Sequence, residues 1–123
     1  IGLLATSGTL QSQVYHQAAR RSGLELITPG FDYQALVMEA IYGERGIKAG
    51  FTQGVCREQL LLAAEHLCEQ GAKVLILGCT ELPLVLAHCD VFEIGAHRVA
   101  LVDPTTVLAR RCVSLSSGAY RIG

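Results

Sequence analysis

The sequence predicts an α/β fold, a three-layer sandwich in which about four mainly parallel strands form a sheet with helices on both faces. Short aliphatic runs alternate with longer amphipathic segments, which is the order typical of a parallel sheet. The short runs are continuously apolar, as strands buried on both faces usually are. Half of the 123 residues are apolar and the net charge is −1, which indicates one ordered domain with a single core.

The first quarter of the chain predicts a strand, a helix and a second strand. Residues 1–5 (IGLLA) predict a short buried strand, and residues 6–9 (TSGT) a small polar loop. Residues 10–22 predict a helix, for which Thr9 is the expected N-cap. LELIT at 24–28 is typical of a second strand, because a Pro-Gly pair follows it directly.

The middle of the chain predicts two helices and a third strand. Asp32 is the expected cap of a short helix over 33–42. The longest helix is expected from about 52 to 70, with Gly71 just beyond its end. Its buried stripe should consist of Cys56, Leu60, Ala63, Ala64 and Leu67. KVLIL at 73–77 predicts the third strand.

The last third of the chain predicts one more strand and a final helix. Residues 88–98 are interpreted as irregular or edge-like, and VALVD at 99–103 as the fourth strand. Asp103 and Pro104 should begin the final helix, since Asp caps helices and Pro suits their first position. The closing SSGAYRIG is expected to be frayed.

Charge pattern and cysteine count argue against several functions. Basic residues are scattered rather than arranged in a stripe, so no nucleic-acid partner is expected. The apolar runs are shorter than a bilayer span, and the first residues do not resemble a secretory leader, so no membrane partner is expected. Five cysteines without a CxxC pair disfavour structural zinc and a redox dithiol. This odd count is typical of a reduced, cytoplasmic protein.

Two polar loops that follow predicted strands form the candidate site. Ligands of open parallel sheets bind at the carboxyl ends of the strands, where loops 6–9 and 78–80 should meet. A helix N-terminus after such a loop can hold an anion and lower the pKa of a thiol. Cys79 is therefore either a reactive thiol or a small apolar residue that closes a strand. Position alone leaves both interpretations open.

The other four cysteines have structural interpretations. Cys56 and Cys68 belong to the pattern of the long helix and are expected in the core. Cys112 is expected in the core as well, because it lies near Leu108 and Leu115 on the final helix. Cys89 is ambiguous and such a residue is more often structural.

Two histidines and a lysine are further candidates for the site. His88 or His97 could pair with Cys79 as in a Cys-His nucleophile, but no spacing supports this, and exposed loop histidines are the simpler interpretation. Lys48, taken alone, is typical of a solvated surface lysine. None of the three is assigned a role by spacing.

Three segments taken together resemble the aspartate/glutamate racemase family. They are GLLATSGT at 2–9, IYGERGIKAG at 41–50 and GCTELPL at 78–84, which occur in the family's order over most of the chain. The resemblance implies a cofactor-independent, metal-free racemase of acidic amino acids, built from two similar α/β lobes. Each lobe supplies one cysteine, because inversion needs a base and an acid on opposite faces of the α-carbon.

The resemblance assigns roles to individual residues. Cys79 becomes the acid/base of the second lobe, and Thr80 contacts a substrate carboxylate through its hydroxyl or backbone N–H. Lys48 matches the family's lysine that holds a substrate carboxylate. Thr6 and Thr9 should shape the wall of the same pocket. Donors around the carboxylate are needed because the deprotonated carbon is strongly basic.

One further residue, Glu81, is not expected to touch the substrate. It stands where related glutamate racemases carry histidine, and its charge would repel an acidic amino acid. We therefore interpret Glu81 as a residue that orients its neighbours from outside the substrate pocket.

The sequence departs from the family in one large respect. The first-lobe cysteine of the family lies in a Cys-Asn-Thr segment, which is absent from this sequence. We therefore expect residues 1–123 to be a single lobe, equivalent to the carboxyl-terminal half of such an enzyme and inactive alone. The helix and tail over 104–123 should lack the first lobe as a partner. The residues expected to be exposed, or to pack on a second copy in a homodimer, are Val107, Leu108, Cys112 and Leu115.

Two alternative functions stay open. The lobe could act on another substrate with an acidic α-proton. It could also be a non-catalytic module that binds small anions.

Overall fold

The computed structural model of the protein describes residues 1–117 and has the predicted α/β architecture. Its strands are β1 (Gly2–Leu4), β2 (Val74–Leu77), β3 (Cys89–Ile94) and β4 (His97–Val102). They form one sheet in the order β1-β2-β4-β3. β1, β2 and β4 are parallel, and β3 is an antiparallel strand at one edge. The sheet is therefore open and mainly parallel.

Five helices cover the two faces of this sheet. They are α1 (Ser7–Ser12), α2 (Val14–Arg21), α3 (Phe31–Tyr42), α4 (Val55–Glu69) and α5 (Pro104–Ser116). Two 3₁₀ turns, Ile47–Ala49 and Leu82–Leu84, lie at the same edge of the sheet as the carboxyl end of β2. Among residues 1–117, no helix has the length and apolarity to cross a membrane.

The core lies between α3, α4 and one face of the sheet. The predicted stripe of α4, which is Cys56, Leu60, Ala63, Ala64 and Leu67, is confirmed, since each of these residues is at most 1 % exposed. Leu75, Leu77 and Leu101 meet it from β2 and β4 and are equally buried. Burial of this apolar surface is the main source of stability of such a domain.

The opposite face of the sheet is only partly covered. Helices α1, α2 and α5 contain no buried residue. Ile76 and Val102 border an apolar groove of about 400 Å³ between Tyr15 and Leu108. The apolar residues Val107, Leu108 and Leu115 of α5 are exposed. Cys112 is exposed too, so its predicted place in the core is wrong. The reason is that α5 stands off the sheet instead of packing tightly onto it.

The predicted strand at 24–28 is wrong, and a hairpin supplies the fourth strand instead. Only Ile27 meets the sheet, through a single bridge to Gly2, in which its N–H donates to the Ile1 carbonyl and its carbonyl accepts from the Leu3 N–H. The region that had an edge-like pattern forms β3 and the start of β4, joined at Gly95, whose φ of 55° suits glycine.

Three predicted helix starts are also wrong. The first helix begins at Ser7, because the Oγ1 of Thr6, and not of Thr9, accepts the backbone N–H that caps it, at 3.3 Å. Gln13, with a φ of 62°, then divides the predicted helix into α1 and α2. Asp32 lies inside the first turn of α3, where Gly30 stands at the N-cap.

The long helix starts later than predicted, whereas the final helix starts as predicted. Helix α4 begins at Val55 because Gly54 has a φ of 77°, which is incompatible with a right-handed helix. Asp103 caps α5 by accepting the N–H of Thr105 at 3.0 Å, with Pro104 at the first helical position. Of the tail predicted to be frayed, Ser116 is still in α5 and Ser117 is its C-cap, whereas residues 118–123 lie outside the described residues.

Candidate functional site

Cys79 lies at the carboxyl edge of the sheet, in a position set by the close contact of β1 and β2. Leu4 is in register with Leu77, and the Gly78 N–H donates to the Leu4 carbonyl at 2.7 Å. A Cβ at position 78 would lie 2.8 Å from Leu3 Cδ1, so this position has no room for a side chain. Cys79 is therefore the first residue past the strand whose side chain can enter the space above the sheet.

The turn after Cys79 is anchored to the core. The Cys79 carbonyl accepts the N–H of Leu82 at 3.1 Å, and Leu82 is completely buried. Arg57 of α4 donates from Nη1 to the carbonyl of Val85 at 2.6 Å. These contacts fix the backbone on which Cys79, Thr80 and Glu81 are carried.

The carboxylate of Glu81 joins three predicted site residues. Its Oε2 accepts hydrogen bonds from Cys79 Sγ at 2.7 Å and from Thr80 Oγ1 at 3.1 Å. Its Oε1 accepts from Lys48 Nζ at 2.7 Å, which also makes a salt bridge. The thiol, the hydroxyl and the ammonium group thus converge on one anion.

Lys48 reaches this carboxylate from a glycine-flanked 3₁₀ turn. Its neighbour Ile47 is buried and fixes the turn to the core. The ammonium also lies 5.6 Å from the centre of the Tyr42 ring, a distance at which a cation and an aromatic face attract each other. Lys48 is therefore held in place, although its side chain is 46 % exposed.

The charges of this network shift the pKa values of its members. Hydrogen bonds from Cys79 and Lys48 lower the pKa of Glu81 to about 2, so the carboxylate is ionised at neutral pH. The hydrogen bond and charge of Glu81 raise the pKa of Lys48. Burial, followed by the hydrogen bond to Glu81, raises the pKa of the Cys79 thiol.

The shift at Cys79 has the opposite direction to the one that the sequence suggested. A helix N-terminus was expected to lower the thiol pKa, but the segment after Cys79 contains only the three-residue turn Leu82–Leu84. So short a turn has a weak dipole, and the adjacent carboxylate opposes the formation of a thiolate.

Thr6, the N-cap of α1, and Thr9, in its first turn, lie at the same sheet edge and use their hydroxyls locally. Thr6 Oγ1 accepts the Thr9 N–H and lies 3.1 Å from Thr9 Oγ1. Their neighbour Ser7 is linked to α3, since Gln34 Nε2 donates to Ser7 Oγ at 3.3 Å. Thr6 and Thr9 therefore stiffen the start of α1 beside the network and are not hydrogen-bonded to it.

A small cleft of about 80 Å³ opens beside Cys79 and includes residues that the sequence did not single out for the site. Tyr15, Asp103 and Thr105 line it together with Cys79 and Thr80. Burial, followed by the charge of Asp103, raises the pKa of Tyr15. Asp103 was predictable, because it ends a strand parallel to β2. Tyr15 was not, because its direction depends on the unforeseen helix break at Gln13.

The two histidines are not hydrogen-bonded to Cys79. His88 Nδ1 accepts the backbone N–H of Asp103 at 2.9 Å. His97 begins β4, and β4 is parallel to β2, so His97 lies at the sheet edge opposite to Cys79. A Cys-His pair is therefore not formed.

The remaining cysteines lie away from the cleft. Cys56 and Cys68 are buried in α4 as predicted. Cys89 is half-buried at the start of β3 and packs against the core, while Cys112 is on the exposed side of α5. Within residues 1–117, no three His, Cys, Asp or Glu side chains are grouped so that they could hold a metal ion.

Two solved structures resemble this chain closely. One is a protein from Yersinia pestis assigned to the Asp/Glu racemases, with a TM-score of 0.75 and 26 % identity. The other is an aspartate racemase homologue from Pyrococcus horikoshii OT3, with a TM-score of 0.73 and 26 % identity. They match 93 % and 94 % of this chain, whereas this chain spans 46 % and 47 % of theirs. The chain is therefore similar to about half of each structure.

Sequence comparison points to the same family. An uncharacterised protein from the pnlA 3′ region of Pectobacterium carotovorum subsp. carotovorum is 33 % identical over 113 residues, which is 92 % of this chain and 70 % of that protein. The family profile described as Asp/Glu/Hydantoin racemase matches residues 1–112, a span that includes Cys79 and its whole network. By this match and by its fold, the chain belongs to the Asp/Glu/Hydantoin racemase family.

Proposed function

We propose that this chain is one lobe of a cofactor-independent racemase of aspartate or glutamate, in which Cys79 is the acid/base on one face of the α-carbon. The observation that carries the proposal is the shared carboxylate. Cys79 Sγ and Lys48 Nζ lie 2.7 Å from the two oxygens of Glu81. A carboxylate group therefore fits between the thiol and the ammonium group.

An acidic amino acid provides a group of the same chemistry. If its carboxylate accepts a further N–H of the half-exposed Lys48 ammonium, beside Glu81, and the backbone N–H of Thr80, its carbon chain lies next to the Cys79 thiol. Lys48 is suited to this role because its ammonium is exposed on one side and supported by Tyr42 on the other. Positioned cations and hydroxyls also stabilise the charge that develops on the substrate when the α-proton leaves.

Inversion requires a second acid/base on the opposite face of the α-carbon. Cys79 is the only cysteine that lines the cleft in the described part of the chain. We therefore propose that the chain supplies one of two cysteines, and that a further lobe supplies the other. Its five free cysteines suit the reducing cytoplasm as its location.

A second candidate substrate class is favoured by the family description, which includes hydantoin racemases. A hydantoin ring also has an acidic hydrogen on carbon, but it carries no carboxylate and needs no cation. Lys48 therefore distinguishes the two classes, since the thiol is required by both.

Calorimetric titration tests which class binds. We expect the L and D forms of aspartate and glutamate to bind, and alanine and a 5-substituted hydantoin not to bind. Lys48→Met should weaken the binding of the acidic amino acids about tenfold or more, because a charge-assisted hydrogen bond contributes about 1.5–3 kcal/mol. Lys73→Met is the matched control, because Lys73 is exposed at the other end of β2.

The alternatives give different results. Binding of the hydantoin that is unaffected by Lys48→Met would favour the second class. Acidic amino acids that bind equally well to the wild type and to Lys48→Met would contradict the assigned role of Lys48. Binding of simple anions such as acetate with the same strength as aspartate would favour a non-catalytic anion-binding module.

A further inference from the structure

The hydrogen bond between Cys79 and Glu81 determines which form of the thiol is present before substrate binds. The Glu81 carboxylate accepts from Cys79 with Oε2 while Lys48 holds Oε1. Both oxygens are thus engaged, and the carboxylate cannot rotate away without breaking the salt bridge. Only a protonated sulfur can donate to Oε2, since a thiolate and a carboxylate would repel each other at this distance.

The other charged and titratable groups around Cys79 do not reverse this preference. Lys48 favours a thiolate, but Glu81 stands between its ammonium and the sulfur. Tyr15 from α2 and Asp103 at the start of α5 line the same cleft, and neither carries a positive charge that would offset the charge of Glu81. A thiol ordinarily has a pKa roughly four units above that of a carboxylate, so the shared proton stays on sulfur.

We propose that Glu81 is a positioning residue that holds Cys79 as a protonated thiol, so that Cys79 rests as the proton donor and not as the proton acceptor of the racemisation. This inference rests on the proposed function. It deepens that function by giving the two cysteines unequal resting states. In this resting state, Cys79 can donate a proton to a substrate whose α-hydrogen points away from it.

For such a substrate, the α-carbon loses a proton on the far face and gains one on the face next to Cys79. A thiolate on the opposite face, the second acid/base of the proposed mechanism, removes the α-proton and becomes a thiol. The S–H bond of Cys79 then breaks and its proton forms the new C–H bond on the near face. The electron pair of the broken bond stays on Cys79 as a thiolate. The opposite thiol then loses its proton to solvent and Cys79 takes one from solvent, which restores the starting state and the hydrogen bond to Glu81.

The pH dependence of Cys79 alkylation tests the inference. Iodoacetamide reacts with the thiolate, and mass spectrometry of the peptide that contains Cys79 separates it from the other four cysteines. In the wild type, we expect the midpoint of the alkylation rate plotted against pH to lie above the midpoint for an ordinary thiol. Glu81→Gln should lower the midpoint by about one unit or more, and so raise the alkylation rate near neutral pH about tenfold.

Two further variants make the result decisive. Glu81→Ala removes the carboxylate without providing an amide and should shift the midpoint in the same direction. Glu93→Gln changes the net charge equally at an exposed residue of β3 and should leave the midpoint unchanged. Circular dichroism of each variant checks that it is folded.

The outcomes separate this inference from the proposed function. A Cys79 midpoint that stays in place or rises in both Glu81 variants would overturn the positioning role. Since the alkylation experiment uses no substrate and no turnover, this result does not depend on the proposed function. Failure of acidic amino acids to bind would contradict the proposed function without affecting the alkylation profile. A shift in Glu81→Gln and Glu81→Ala that Glu93→Gln does not reproduce supports the inference.

Discussion

Cys79 is a residue whose importance could be predicted and whose chemical state could not. Its place after a buried strand and within GCTELPL indicated a reactive thiol. The expected lowering of its pKa assumed a helix immediately after it. The structure has a short 3₁₀ turn there, and burial and the Glu81 carboxylate raise the pKa instead. Adjacent side chains, which no pattern of elements specifies, decide the state of this thiol.

The single cysteine in the cleft gives a prediction about turnover. Incubated in deuterium oxide with each enantiomer of aspartate and glutamate, the chain alone should leave their configuration almost unchanged, because residues 1–117 bring no second cysteine to the cleft. Chiral chromatography measures the inversion, and mass spectrometry measures α-deuteration. Any deuteration should disappear in Cys79→Ser.

Robust formation of the opposite enantiomer by the chain alone would contradict this prediction. So would deuteration that persists undiminished in Cys79→Ser. The first result would mean that this chain provides both acid/base groups, and the second that another group removes the α-proton.

At the scale of elements, most of the fold follows from local patterns, and the exceptions have local causes. The stripe of α4 and the cap of α5 are specified by residues that lie within each helix. The segment 24–28, predicted as a strand, contributes only Ile27 to the sheet, through one bridge to Gly2. Pairing between strands is a tertiary property, so an apolar run alone does not determine it.

The contact between β1 and β2 gives a prediction about stability. Gly78→Ala should lower the free energy of unfolding by about 1–3 kcal/mol, the usual cost of overpacking. The added Cβ would meet Leu3 Cδ1 at 2.8 Å and Ala5 Cβ at 3.2 Å, and these residues are fully buried. Urea unfolding followed by circular dichroism measures the change.

The matched control for this substitution is Gly8→Ala. Gly8 lies in α1, and a Cβ there would have no neighbour nearer than Thr6 Oγ1 at 4.0 Å. Because alanine favours a helix over glycine, this variant should be as stable as the wild type or slightly more stable. Equal stability of both variants would refute the close-contact argument for Gly78.

At the scale of the whole molecule, the two faces of the sheet differ in how completely they are covered. The α3/α4 face contains the core, whereas the α2/α5 face has a groove of about 400 Å³ lined by Tyr15, Ile76 and Leu108. The sequence indicated that the apolar residues of α5 would be exposed, although it also predicted a place in the core for Cys112. It did not predict the groove, because a cavity depends on how far a helix stands from the sheet.

This groove gives a prediction about association. We expect the chain to form a dimer through this face, because burial of exposed apolar surface is favourable. Sedimentation velocity should detect the dimer, and Leu108→Lys, at a residue that is 64 % exposed, should convert it to monomer. Leu62→Lys is the control, at a residue of α4 that is 52 % exposed, and should leave the dimer intact.

A wild-type chain that stays monomeric over a wide concentration range would contradict the predicted association. Equal loss of the dimer in both lysine variants would show that general hydrophobicity, and not this groove, drives it. Dimer retained in Leu108→Lys but lost in Leu62→Lys would place the interface on α4.

The hairpin at the edge of the sheet is poorly suited to pairing with strands of other molecules. Strand β3 carries the exposed acidic residues Asp90 and Glu93, and its register is interrupted between Cys89 and Phe92. Charge and irregularity at an outer strand discourage pairing with strands of other molecules. Strand β1, at the other edge, is too short to act as a template for fibrils. Neither edge of the sheet therefore favours the growth of a continuous β-structure, although one apolar face of the sheet is partly uncovered.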